Sequence, residues 1–230
     1  HRTPEELREE VAGLEGTLAE TPSDPELLLR IGGLYQELRD WPAALEFHER
    51  ALEYRRDDFD LECIVADLGV RALKKQIAAA GKAGDEAKAD RLEKKLAGHE
   101  VNDFKRRVER RPGDMSLRLG LGKRLMRGGE LDLALGEFQK AHVDSRVGGE
   151  ALFFMARCFH EKGVFDLARK EYERALEGCR GVDDRAKEIL YNLGLISEAE
   201  GDSEGARGAF IRIYEVDISY RDVAEKMEAL

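Results

Sequence analysis

The chain has 230 residues, 42% of them apolar and 37% charged, with a formal net charge of -10. That charge excludes a general nucleic-acid binder, which needs a basic field along its contact face, and disfavours attraction to an anionic membrane surface. With only 5 prolines, an abundance of Glu, Leu, Ala, Arg and Lys, and no sustained alternation of β-branched residues, the composition specifies helix and leaves almost no strand signal.

In chain order, Thr3-Pro4-Glu5-Glu6 forms a capping-box pattern with proline at the first helical position. It predicts a helix over about 4–20 whose apolar residues Leu7, Val11, Leu14 and Leu18 share one face. Residues 1–24 are therefore expected to form an end cap or the remnant of a preceding repeat. Segment 25–58 reads as two helices, with Ile31-Gly32…Tyr35 on the first, a turn at Arg39-Asp40, and Ala44-Leu45-Glu46-Phe47-His48 opening the second. Segment 59–114 reads as a longer pair. Leu61, Ile64, Val65, Leu68, Ala72 and Leu73 mark a helix over about 58–80, and Gly81-Lys82-Ala83-Gly84-Asp85 is the turn. Leu92, Leu96, Val101, Phe104 and Val108 mark its partner, with a bend expected at Gly98. Three further pairs follow over 115–148, 149–186 and 187–218. Ser219 stands three residues before Asp222, which predicts a last, capping helix over about 219–229 within segment 219–230.

The pairs repeat. Ala44, Ala134, Ala168 and Ala206 each open the same pattern, at separations of 90, 34 and 38 residues. Upstream, Ile31-Gly32…Tyr35 recurs as Leu121-Gly122…Leu125, Met155-Ala156…Phe159 and Leu193-Gly194…Ser197. Polar turns separate the halves at Arg39-Asp40, Gly128-Gly129, Lys162-Gly163 and Glu200-Gly201-Asp202. This pattern resembles the tetratricopeptide repeat, as found in bacterial-type repeat proteins: W-x2-L-G-x2-Y, then A-x3-F, then proline, on a period of 34. The departures are closing prolines missing except where Pro112 precedes the second clear unit, Ser197 in place of an aromatic, and His48 where Phe or Tyr is usual, with Phe47 beside it. The resemblance implies an all-α, right-handed superhelical solenoid of antiparallel helix pairs, with one pair elongated. The 90-residue interval exceeds two periods by 22, so each helix of that pair gains about ten residues, or roughly 15 Å. Two readings of the charged tip stand: a solvated hairpin, or an arm that docks a partner or a second copy.

Chemistry is sparse. His1, His48, His99, His142 and His160 make no HxxxH or HExxH spacing. Cys63, Cys158 and Cys179 are far apart and fit free thiols in a reducing compartment, the cytoplasm. Gly120-Leu121-Gly122-Lys123 lacks the spacing of a phosphate loop and any preceding strand, and no GxSxG elbow occurs. No catalytic, cofactor or metal site is expected. No segment approaches the roughly 18 apolar residues of a membrane span. The chain begins with His1 rather than Met, so its start reads as a scar or cleavage point, and an upstream signal or anchor stays open. The basic run Lys105, Arg106, Arg107, Arg110 and Arg111 reads either as cations at a helix C-terminus or as a site for an acidic peptide or phosphate.

The resemblance also implies a groove lined by the first helices of successive pairs, where a protein or peptide is held. The motif assigns Leu152, Met155, Ala156 and Phe159 to the core, which leaves Phe153 and Phe154 over. The expected groove has an apolar floor of Phe153, Phe154 and Tyr191 and basic flanks of Lys123, Arg127 and Arg157, with His160 and Asn192 alongside. It suits a segment carrying an apolar anchor beside acidic residues. The competing reading buries both phenylalanines against the next pair. The family's carboxylate clamp is not clearly present, since Asn192 alone falls in a plausible place. The function expected is a non-catalytic scaffold or adaptor; the alternative is a regulatory or assembly module of a larger polypeptide, membrane-anchored or enzymatic. The sequence leaves the oligomeric state open.

Overall fold

The computed structural model describes residues 2–229; His1 and Leu230 lie outside the described residues. Those residues form twelve α-helices and no strand. They are α1 (Pro4–Glu20), α2 (Pro25–Glu37), α3 (Trp41–Tyr54), α4 (Phe59–Lys82), α5 (Glu86–Arg110), α6 (Met115–Arg127), α7 (Leu131–Ala141), α8 (Gly148–Glu161), α9 (Phe165–Glu177), α10 (Asp184–Ala199), α11 (Ser203–Tyr214) and α12 (Val223–Ala229). The chain divides between Arg107 and Val108, inside α5, into two compact units.

In the first unit, the Thr3 hydroxyl accepts from the Glu6 amide while the Glu6 carboxylate accepts from the Thr3 amide, which closes the capping box of α1. Leu7, Val11 and Leu18 of α1 pack with Leu28, Ile31 and Leu34 of α2 and with Phe47 and Ala51 of α3. The α2/α3 pair is joined at its closest approach by His48. A Cβ on Gly32 would stand 2.3 Å from His48 Nδ1, so only glycine admits that ring. The buried imidazole is fully placed: Nδ1–H donates to the Ala44 carbonyl at 2.7 Å, and Nε2 accepts from the Gln36 amide at 3.1 Å. In the longer pair the same geometry returns, with His99 against Gly69 and its Nε2–H donating to the Ala66 carbonyl. Helix α5 runs unbroken through Gly98, because a glycine inside a well-supported helix weakens it without forcing a bend.

The second unit repeats the plan with carbon rings. Phe138 of α7 covers Gly122 of α6, and Phe210 of α11 covers Gly194 of α10. Sixteen residues separate ring from small residue in each case, and the same interval pairs Ala156 with Tyr172 and Gly32 with His48. Cores form around Phe153, Tyr172, Ile189 and Ile196, and around Leu190, Phe210, Ile213 and Val223.

One turn closes every pair. The amide three residues past the end of the first helix donates back five residues: Asp40 to Tyr35, Asp85 to Ala80, Glu130 to Leu125, Val164 to Phe159 and Asp202 to Ser197. This Schellman arrangement needs a left-handed residue. Gly84, Gly129, Gly163 and Gly201 supply it with φ between 71° and 80°, whereas Arg39 adopts φ 55° at a steric cost. The elongated pair thus keeps the turn of its shorter neighbours. Aspartates cap the start of most first helices: Asp24, Asp58, Asp114 and Asp183 each accept from amides of α2, α4, α6 and α10.

The last helix differs from expectation. It begins at Val223, and the hydroxyl and amide of Ser219 both go to Asp217 instead of forming a cap with Asp222. Asp222 is engaged by the Tyr191 hydroxyl at 2.6 Å, which removes it from capping.

Candidate functional site

Helices α6, α8 and α10 are the first helices of the three pairs of the second unit. Each turns one stripe inward to its partner: Leu119, Gly122 and Leu125 on α6, Ala156 on α8, Leu193 and Gly194 on α10. Residues off that stripe define a surface with two adjoining clefts.

The larger cleft, of about 490 Å³, is lined by Lys123, Arg124, Met126, Arg127, Phe154, Arg157 and Glu161. Its centre is the half-buried ring of Phe154. That ring stacks on Phe138 at 5.6 Å between centroids and meets Phe153 edge-on at 5.2 Å. Cations approach it, Lys123 Nζ at 4.9 Å and Arg157 Cζ at 5.7 Å from the centroid, a placement the negative face of the ring favours. Lys123 also bonds Glu150, and Arg157 lies 3.9 Å from Glu161. Four cations and one carboxylate around an aromatic and a methionine make a basic, apolar-floored cleft on a chain of net charge -10.

The smaller cleft, of about 230 Å³, is lined by Arg157, His160, Glu161, Tyr172 and Asn192. Arg157 and Glu161 belong to both. His160 stands edge-on to Tyr172 and Phe165, and burial lowers its pKa, so its ring is neutral near pH 7. Asn192 donates to the Glu188 carbonyl at 2.7 Å.

Of the residues singled out from sequence, Lys123, Arg127, Phe154 and Arg157 share the larger cleft, and Arg157, His160 and Asn192 share the smaller one. Two stand elsewhere. Phe153 is a core residue, 5% exposed, because its ring fills the space between α8 and Tyr172 of α9. Tyr191 lines neither cleft; its hydroxyl bonds Asp222, its ring packs on Phe210 and Tyr220, and Arg221 lies over it at 4.6 Å. Sequence reasoning missed Arg124 as a cleft residue because the repeat pattern does not mark it. It also missed Tyr172, although tyrosine in place of the Phe138 and Phe210 of neighbouring pairs was a readable signal.

Other candidate chemistry is accounted for structurally. Arg107 of the basic run bonds Asp67 and Asp103 at 2.7 and 2.8 Å, tying α5 to α4. Burial pushes the Cys158 thiol up to about 12, which makes it inert. Among the described residues no group of three or more His, Cys, Asp or Glu side chains is placed to hold a metal. No described helix is long and apolar enough to cross a membrane.

The tetratricopeptide-repeat family model matches residues 27–62. Among solved structures, the chain is similar to YrrB, described as a TPR protein with an unusual peptide-binding site, at 16% identity and TM-score 0.60, over 94% of this chain and 98% of that one. It is similar to the C-terminal part of a TPR repeat-containing protein from Cytophaga hutchinsonii, at 16% identity and TM-score 0.59, over 96% and 94%. A chain in the structure of Naa15/Naa10 bound to HypK-THB aligns at 15% identity and TM-score 0.65, over 97% of this chain but 31% of that longer one. No curated protein matches the sequence. The fold is therefore that of tetratricopeptide-repeat proteins, an all-α solenoid of antiparallel helix pairs.

Proposed function

We propose that the chain is a non-catalytic scaffold that holds a segment of another protein on the surface made by α6, α8 and α10. The segment carries an apolar anchor, seated on Phe154 and Met126, between acidic residues that face Lys123, Arg127 and Arg157. One observation carries this reading: a basic cleft with a half-buried aromatic in its lining on an otherwise acidic chain. Charge of that sign steers acidic segments toward the cleft, and the aromatic supplies the buried apolar area that fixes them there. The description of YrrB as a peptide-binding TPR protein agrees with a fold able to present such a surface. The wide spacing of Cys63, Cys158 and Cys179, with no CxxC pair, supports a cytoplasmic setting.

Selection of a random peptide library on the immobilised chain tests the reading. Enriched peptides should place one aromatic or large aliphatic residue among Asp and Glu, and their binding should weaken as salt rises. A basic consensus, or none that depends on Phe154, contradicts it.

A second reading, an assembly module within a larger polypeptide, is favoured by one comparison. The same fold occurs as about a third of the longer chain in the Naa15/Naa10 structure.

A further inference from the structure

The smaller cleft holds a polar group the fold does not require. Tyr172 is wholly buried, and its hydroxyl has under 1 Å² open to solvent and no hydrogen-bond partner among the described residues. A buried hydroxyl without a partner is costly, and native interiors rarely leave one so. The neighbouring pairs avoid that cost by placing Phe138 and Phe210 at the equivalent position. The ring of Tyr172 is thus explained by the repeat, and its hydroxyl is not. The residue forms part of the lining of the 230 Å³ cleft.

The chemistry around it narrows the occupant. Arg157 and Glu161 stand 3.9 Å apart and give the lining of the smaller cleft one charge of each sign. The neutral ring of His160 adds none. A carboxylate entering here would meet Glu161 and lose its hydration beside a dry aromatic wall. Donors and acceptors are both present: the Tyr172 hydroxyl donates, while the Glu161 carboxylate and the Asn192 side-chain oxygen accept, the Asn192 nitrogen already being given to Glu188. A primary amide matches that set, with one acceptor oxygen, two N–H donors and no charge.

We propose that this cleft takes the side-chain amide of a glutamine or asparagine in the bound segment, its carbonyl oxygen accepting from the Tyr172 hydroxyl and its N–H groups donating to Glu161 and Asn192. The proposal rests on the reading of this surface as a segment-binding groove. It adds a second, uncharged recognition point next to the apolar-acidic one.

The probes are synthetic peptides with one Phe between Asp residues, carrying Gln, Leu or Glu at successive distances from that Phe. They are titrated by fluorescence anisotropy against the whole chain and against Tyr172→Phe. The variant is safe because phenylalanine fills the same position in two neighbouring pairs, and its urea midpoint should equal or exceed that of the parent. At one distance the Gln peptide should bind the parent about tenfold more tightly than the Leu and Glu peptides. Tyr172→Phe should abolish that advantage and leave the Leu peptide unchanged. A Gln preference that survives in the variant, a preference for Glu, or no preference at any distance overturns the amide assignment while the groove stands. If no peptide of the set binds the parent, the groove reading fails and the amide site with it.

Discussion

Two single side chains report most directly on how the repeat is built. Arg39 holds φ 55° at the turn position where the other pairs use glycine. Arg39→Gly removes that strain at some cost in chain entropy, so it should stabilise the first unit by about 1 kcal/mol, read as a higher urea midpoint at unchanged slope. His48 sits where the second unit places carbocyclic rings, and burial holds its pKa below the usual histidine value. The unfolded chain therefore binds more protons than the folded one as pH falls. The stabilising contribution is complete above the unfolded pKa of about 6.5 and declines as pH drops from there toward the lower folded value. His48→Phe should flatten the fall in urea midpoint between neutral and mildly acidic pH; an unchanged slope shows that other groups carry it. The displacement of the expected aromatic by His48 was legible from the repeat. Its fit was not, because the pairing of ring and glycine across two helices becomes visible only once Gly32 is seen beneath the imidazole.

At the scale of the element, caps and turns were the most readable features. The capping box of α1 and the extent of the longer helices follow from local side-chain chemistry, which the sequence states outright. Asp114 accepts from the Ser116 and Leu117 amides, so Asp114→Ala should cost about 1 kcal/mol in thermal or urea unfolding. The start of the last helix was misread because Asp222, apparently free to complete a box with Ser219, is taken by Tyr191 from a helix thirty-one residues earlier. That competition is tertiary and leaves no local mark. The same holds for the two adjacent phenylalanines on α8. Periodicity leaves both unassigned, and only the position of Tyr172 sends Phe153 inward while Phe154 stays at the cleft. In the elongated pair, side chains from Gly81 to Lys88 are all exposed, whereas Leu61, Leu68, Ala72 and Leu73 are buried. Replacing residues 76–95 by Ala-Gly-Asp should therefore leave the melting temperature within a few degrees, measured by circular dichroism. A large drop would show that the tip helps hold the first unit.

For the whole molecule, the repeat builds the proposed site from surfaces that no single pair completes. The larger cleft draws Lys123, Met126 and Arg127 from α6 and Phe154, Arg157 and Glu161 from α8, and the smaller one adds Tyr172 from α9 and Asn192 from α10. Legibility followed the same hierarchy. The repeat period marks α6, α8 and α10 as first helices, and Lys123, Arg127 and Arg157 on them line one cleft; the depth of each aromatic depends on packing between pairs. The direct measurement is the affinity of an Asp-Phe-Asp peptide for the parent chain and for a Phe154→Ala/Arg157→Ala variant whose helicity is verified, with the core residue Phe153 left intact. The account predicts a loss of about tenfold or more, partly reproduced by raising salt on the parent. Equal affinity for parent and variant, with the fold unchanged, would contradict it.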